Sequence, residues 1–204
     1  SCNGPGGVGS DTVTVQTVAN PDARFLLSED FTGYEAGSDP DDWTDTGAHN
    51  SMTTDDRLFQ VMEIDGEPVF GSTQTTTTNI HSHYTGAGSE DWHDYQFSGR
   101  MRISGRNDGI GVTFYSDYPL SDRYYRLRRY GNQSFHIAPH GAGIECTGTT
   151  DTRVVPAVDT WYAFLIEVEN GTTETQVRAK VWQSGSGEPA DWQASCVDGG
   201  TRLT

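Results

Sequence analysis

The residues best suited to chemistry in this chain are arginines, histidines and tyrosines at alternating positions. Arg100 and Arg102 alternate in DYQFSGRMRISG, Arg126 and Arg128 in RYYRLRRY, and Thr113 and Tyr115 in GIGVTFY between them. His81 and His83 share one parity of NIHSHY, and His136 takes the polar parity of SFHIA. Side chains alternate across a strand with period 2, so each set points to one face of a sheet. Guanidinium groups hold carboxylates in bidentate pairs, and tyrosine adds a stacking ring. His81, His83, Arg100, Arg102, Tyr115, Arg126, Arg128 and His136 therefore predict a groove on a concave sheet that binds carbohydrate, with an acidic glycan as the matched ligand. The competing reading is that these arginines pair with acidic loops, since surface ion pairs are common and weak.

The same residue types could support catalysis. β-Elimination of a uronic acid polymer needs a carboxylate neutraliser, a base and an acid, roles open to Arg, His and Tyr. Asn79-Ile80-His81 faintly resembles the Gln-Ile-His of jelly-roll alginate lyases, but the other strand motifs of those lyases are missing. Hydrolysis by paired carboxylates is disfavoured. Glu167-Val168-Glu169 alternates but lacks the third acid of the Glu-x-Asp-x-x-Glu strand of jelly-roll glucanases, and both glutamates are expected on a solvated face.

The elements that must carry these residues are strands. Tyr95, Phe97, Met101 and Ile103 make an apolar parity in the first run, Ile110, Val112 and Phe114 in the second, and Tyr125 and Leu127 in the third. RLFQVMEI and EPVFGSTQ read as a hairpin around Asp65-Gly66, a strong turn dipeptide. WYAFLIEVEN and TQVRAKVW form a second pair about Asn170-Gly171. YEAGSDPDDWTDTGAHNSMTTDD reads as a long acidic loop, and no window holds a 3.6-residue apolar period. A dozen or so short strands predict an all-β sandwich or jelly roll with very little helix. Residues 1–20 form a Gly-rich lead and an N-terminal strand, and 21–204 a single sandwich domain.

Composition narrows the partners. The formal net charge is −16, with 13 Lys and Arg against 29 Asp and Glu. Seven of those 13 cations lie between Arg100 and Arg129, so a basic face is set in an acidic protein. Such a balance suits a halophile-like, salt-tolerant surface and argues against nucleic acid or an anionic membrane as the general partner. No apolar run approaches the ~20 residues that span a bilayer.

The run from Leu26 to Thr204 resembles the concanavalin A-like, laminin-G-like jelly-roll domains of bacterial and archaeal extracellular proteins. The matching pieces are LLSEDFTGYEAGSDPDDW, NIHSHY, YQFSGRMRI, TWYAFLIEVEN and VRAKVWQSGSGEPADWQ. The resemblance implies two curved antiparallel sheets, an extracellular location, often a structural calcium ion, and frequently carbohydrate binding. Such domains usually end on a Gly-rich stretch and a closing strand beyond the equivalent of Arg202-Leu203-Thr204. Here SCNGPGGVGSDTVTVQTV at the N-terminus reads like that ending. Asp11, Val13, Val15 and Val18 would then belong to a strand with three possible places: closing its own sandwich, donated to a second copy in a head-to-tail polymer, or lying as an extra edge.

Calcium requires several oxygen ligands. Glu29 and Asp30 in the first family-like strand and Asp11 before the closing one are the candidates, with the DPDD and TTDD loops as alternatives. The histidine and cysteine spacing fits neither zinc nor iron. Cys2, Cys146 and Cys196 imply one disulfide and a leftover thiol, or a bond between chains. Asn132 and Asn170 lie in sequons and are the glycosylation candidates. Taken together, the residues and the resemblance favour a secreted, non-catalytic lectin-like or adhesive module, with a filament subunit assembled by strand donation and a uronate lyase as the rival readings.

Overall fold

The structure, a computed structural model of the chain, describes residues 7–8, 13–17, 25–47, 52–201 and 203. Cys2, Asp11 and Val18 lie outside the described residues. The chain is nearly all β. Its strands are β1 (Gly7–Val8), β2 (Val13–Thr17), β3 (Phe25–Glu29), β4 (Trp43–Thr46), β5 (Gln60–Ile64), β6 (Glu67–Gly71), β7 (His81–Tyr84), β8 (Tyr95–Ile103), β9 (Ile110–Phe114), β10 (Tyr124–Arg129), β11 (His136–His140), β12 (Thr147–Thr149), β13 (Trp161–Asn170), β14 (Thr175–Gln183) and β15 (Ala194–Asp198). Among the described residues the only helical element is a single 3-10 turn at Ser89–Asp91. None of their helices is long and apolar enough to cross a membrane.

The largest sheet runs β12-β15-β14-β13-β8-β2-β3, with β1 also paired to β8. A second sheet runs β11-β10-β9, and β4-β7 and β5-β6 form two pairs. All these pairings are antiparallel. The β5–β6 hairpin turns at Asp65 (φ 55°) and Gly66 (φ 85°). Two consecutive left-handed residues match the twist of the flanking strands, which is why Asp-Gly specifies this turn.

The N-terminal strand takes a definite slot. Val13–Thr17 lies between β3 and β8 of its own chain, with Val13 opposite Glu29 on one side and Gly99 on the other, and Val15 opposite Leu27 and Phe97.

One apolar core joins the layers. From the large sheet it takes Phe97, Met101, Phe164, Ile166, Val177 and Val181, and from the β9-β10-β11 sheet Ile110, Val112, Phe114, Tyr125, Leu127 and Ile137. Phe31, Trp43, Phe59 and Phe70 extend it beneath the acidic loop, where Phe31 stacks on Phe70 at 5.2 Å. Burying side chains of this size stabilises by roughly 1.5–3 kcal/mol each. The Tyr125 hydroxyl crosses the core to donate to Asp198 Oδ2 at 2.5 Å. Cys146 and Cys196 form a disulfide that ties the segment before β12 to β15.

Two polar groups sit deeper than their strand patterns imply. Glu167, expected on a solvated face, is buried, ion-paired to Arg178 and bonded by Gln96 Nε2 at 2.8 Å. The cross-strand neighbours Gln96 and Arg178 cover it from both sides. Asp45, within the expected acidic loop, belongs instead to β4 and is fully buried, its Oδ2 accepting from the Phe59 amide at 2.7 Å.

Candidate functional site

The site is built from β10 outward. Tyr125, Leu127 and Arg129 have one parity; Tyr124, Arg126 and Arg128 have the other and line the face opposite the core. Cross-strand register brings Thr113 beside Arg126 and Gly111 beside Arg128 from β9, and His140 beside Tyr124 and His136 beside Arg128 from β11. Gly111 has a steric reason to be glycine. A Cβ there would lie 2.7 Å from the Arg128 Cα and Cβ, below any real contact distance.

β7 adds its two histidines to the same face. His81 Nδ1 lies 3.0 Å from Thr113 Oγ1, and His81 Nε2 lies 3.0 Å from the Tyr124 hydroxyl. His83 Nε2 lies 3.1 Å from Thr46 Oγ1 and Nδ1 lies 3.4 Å from Ser116 Oγ. The His83 ring stacks on Tyr118 at 4.4 Å, and Tyr124 stacks on His140 at 4.8 Å. His140 Nε2 is held by Asp122 at 2.9 Å. The result is a packed set of imidazole and phenol rings, two pairs stacked and one, His81 and Tyr124, joined by a hydrogen bond.

Electrostatics follow from burial. Burial, then the neighbouring His83, holds the His81 imidazole well below the usual histidine range. Burial is the largest cause that lowers His83 to about 3. Both rings are therefore neutral at neutral pH. Burial and then Asp122 push the Tyr124 phenol up, so it stays protonated and remains a donor. Burial and then the Arg128 charge lower Arg126 to about 10, which leaves it a cation. Arg126 lies over the Tyr124 ring at 5.6 Å and Arg128 over the Tyr130 ring at 4.9 Å.

The predicted basic face divides in two. Arg100 and Arg102 belong to β8 in the large sheet, because the chain crosses between sheets after Ile103. There they are neutralised: Arg100 by Glu67 at 3.1 Å, and Arg102 by Asp159 at 2.9 Å and Asp65 at 3.6 Å. Arg126 and Arg128 differ. Among the described residues neither forms an ion pair, and the buried Nε of Arg128 has no acceptor.

Tyr115 leaves the set as well. Its φ of 48° ends the alternation of β9 and turns the ring to the core side, where it stacks on Tyr125 at 6.4 Å and its hydroxyl meets the Asn170 amide. His136 stays on the face, with Nδ1 on the Ser134 carbonyl at 3.0 Å. Tyr124 and His140 join the set, and their parity with Arg126, Arg128 and His136 is the sequence signal that marks them. Tyr118 has no such signal, because it stands in a loop.

The remaining predicted positions fall elsewhere. Glu29 accepts from the Phe31 amide at 2.6 Å, and Asp30 accepts from the Thr32 amide at 3.0 Å and its hydroxyl at 2.7 Å. Their carboxylates thus serve local turns. Among the described residues no group of three His, Cys, Asp or Glu side chains converges as a metal site. Asn132 is exposed on the turn after β10. Asn170 is half-buried, its amide bonded to Tyr115 and its carbonyl accepting from Thr175 at 2.8 Å, so a glycan there would have to displace both.

No protein-family model, curated protein or solved structure matches the chain.

Proposed function

We propose that the chain is a non-catalytic, secreted lectin-like module whose β10 face binds an acidic glycan. One observation carries this reading: Arg126 and Arg128 are adjacent, largely desolvated cations without a carboxylate partner, in a protein whose net charge is −16. The other two arginines predicted to bind the glycan, Arg100 and Arg102, each have an acid. Sequestering guanidinium groups without counter-charge is costly, and a ligand carboxylate would offset that cost with bidentate hydrogen bonds. Tyr130, 46% exposed beneath Arg128, supplies a ring face beside them, the usual complement to a sugar's apolar face. The disulfide agrees with an oxidising, extracellular compartment. Titration with oligouronates, followed by tryptophan fluorescence or calorimetry, tests the reading. Saturable binding that weakens with salt is expected; oligouronates that bind no better than neutral oligosaccharides would sink it.

A second reading is favoured by the His81–Tyr124 contact. A neutral imidazole bonded to a protonated phenol, beside uncompensated arginines, has the components of uronate β-elimination: neutraliser, base and acid. The ultraviolet absorbance of an unsaturated uronate product, appearing with wild type and absent with His81→Gln, would replace the binding module with a lyase.

A further inference from the structure

Arg129 is an arginine at a core position. It shares the parity of Tyr125 and Leu127, enters the apolar layer and is 2% exposed. Its Nη1 donates to the backbone carbonyls of Arg106 at 3.0 Å and Asp108 at 2.8 Å, which fixes the guanidinium against the loop between β8 and β9. Its Nε is buried without an acceptor. Burial lowers its pKa and the nearby Asp108 carboxylate raises it, yet among the described residues no carboxylate forms an ion pair with Arg129.

Arg129 lines a cavity of about 540 Å³. The other walls are Arg106, Asn132 and the segment 155–158, Val-Pro-Ala-Val. Arg106 is exposed, and Val155 and Val158 present 56% and 38% of their surface. The lining therefore combines two arginines and an asparagine with an apolar segment. The volume lies within the ~300–1,000 Å³ range of small-molecule sites.

We propose that this cavity binds a small organic anion with one carboxylate and a short apolar body. The carboxylate meets Arg106 and the buried Arg129, each able to donate in the plane of the anion. The apolar body lies along Val155, Pro156 and Val158 and removes their surface from water. A compact, strongly hydrated dianion such as phosphate gains the first contact and wastes the second. The site is separate from the β10 face, because Arg129 points to the opposite side of the strand from Arg126 and Arg128 and does not depend on a glycan binding there.

Hexanoate, acetate and inorganic phosphate serve as probes, with the arginine Nε–Hε resonances of the full chain followed by NMR. Hexanoate is expected to shift the Arg129 signal saturably, with acetate at least about tenfold weaker because it lacks the apolar body. Arg106→Ala should cut hexanoate affinity at least about tenfold while keeping the backbone carbonyl that Arg129 uses. Val158→Asp, on an exposed position, should abolish binding by placing a like charge in the cavity with the fold unchanged by circular dichroism. Hexanoate that leaves Arg129 unmoved, equal affinity in Arg106→Ala, or phosphate binding more tightly than hexanoate would each overturn the proposal.

Discussion

The Tyr124 hydroxyl lies 3.0 Å from His81 Nε2, and both side chains are almost completely buried. Buried polar atoms that lose a partner retain their desolvation cost, so Tyr124→Phe should destabilise the chain by about 1–3 kcal/mol. Urea unfolding checks this. A change below about 0.5 kcal/mol would mean that the imidazole finds another partner in its place.

Glycan binding should depend on Arg126 and Arg128 and be indifferent to Arg100. Arg128→Ala is expected to weaken oligouronate binding at least about tenfold, the range for losing a charge-assisted pair. Arg100→Ala removes an exposed bridge to Glu67 and a contact over the Trp161 ring, both in the large sheet, and should change affinity by less than about twofold. Equal losses in both variants would return all four arginines to a common surface role.

Asp45 and His83 should pull stability in opposite directions with pH. Burial raises the Asp45 carboxyl to about 7, above its unfolded value of about 3.8. The unfolded chain therefore gives up this proton first as pH rises from about 4 to 7, and stability falls across that window. Asp45→Asn removes the effect and should recover about 2–4 kcal/mol between those limits, measured as the difference in unfolding free energy at pH 8 and pH 4.

His83 works the other way. Its folded pKa of about 3 lies below the unfolded value of about 6.5, so the unfolded chain takes up a proton that the native chain refuses. Stability is then lost as pH falls below about 6, by up to about 1.4 kcal/mol per pH unit from this residue. His83→Gln should flatten that acid limb. An unaltered acid limb would show that another group governs it.

The Cys146–Cys196 disulfide closes a loop of sequence separation 50. Chain-entropy arguments assign such a closure about 4 kcal/mol. A Cys146→Ser, Cys196→Ser double variant should lose about 3–4 kcal/mol in guanidinium unfolding, without change in secondary structure by far-ultraviolet circular dichroism.

The strands were legible wherever one face is apolar and the other polar. Tyr95 to Ile103 and Tyr124 to Leu127 announce themselves by alternation, and Asp65-Gly66 by its turn chemistry. Alternation does not encode which sheet a strand joins, so Arg100 and Arg126 share a pattern but not a face. It fails where φ turns positive, which moved Tyr115 into the core. It is also blind to depth. His81 and His83 lie on one face as their spacing demands, yet β4, β9 and the Tyr118 loop bury them. Cysteine spacing alone does not fix which cysteines meet, so the Cys146–Cys196 pairing emerges only from the fold.

The slot of β2 bears on how the chain comes off the ribosome. Val13–Thr17 finds its first neighbour at once in β3, but its second, β8, follows about 80 residues later, from Val15 to Phe97. At typical synthesis rates that interval is roughly 4–16 s. Throughout it the β2 edge of the β2–β3 ribbon presents unpaired amides, a template that any strand of the right length can occupy. The nascent chain thus carries an unpaired β2 edge before its own β8 exists.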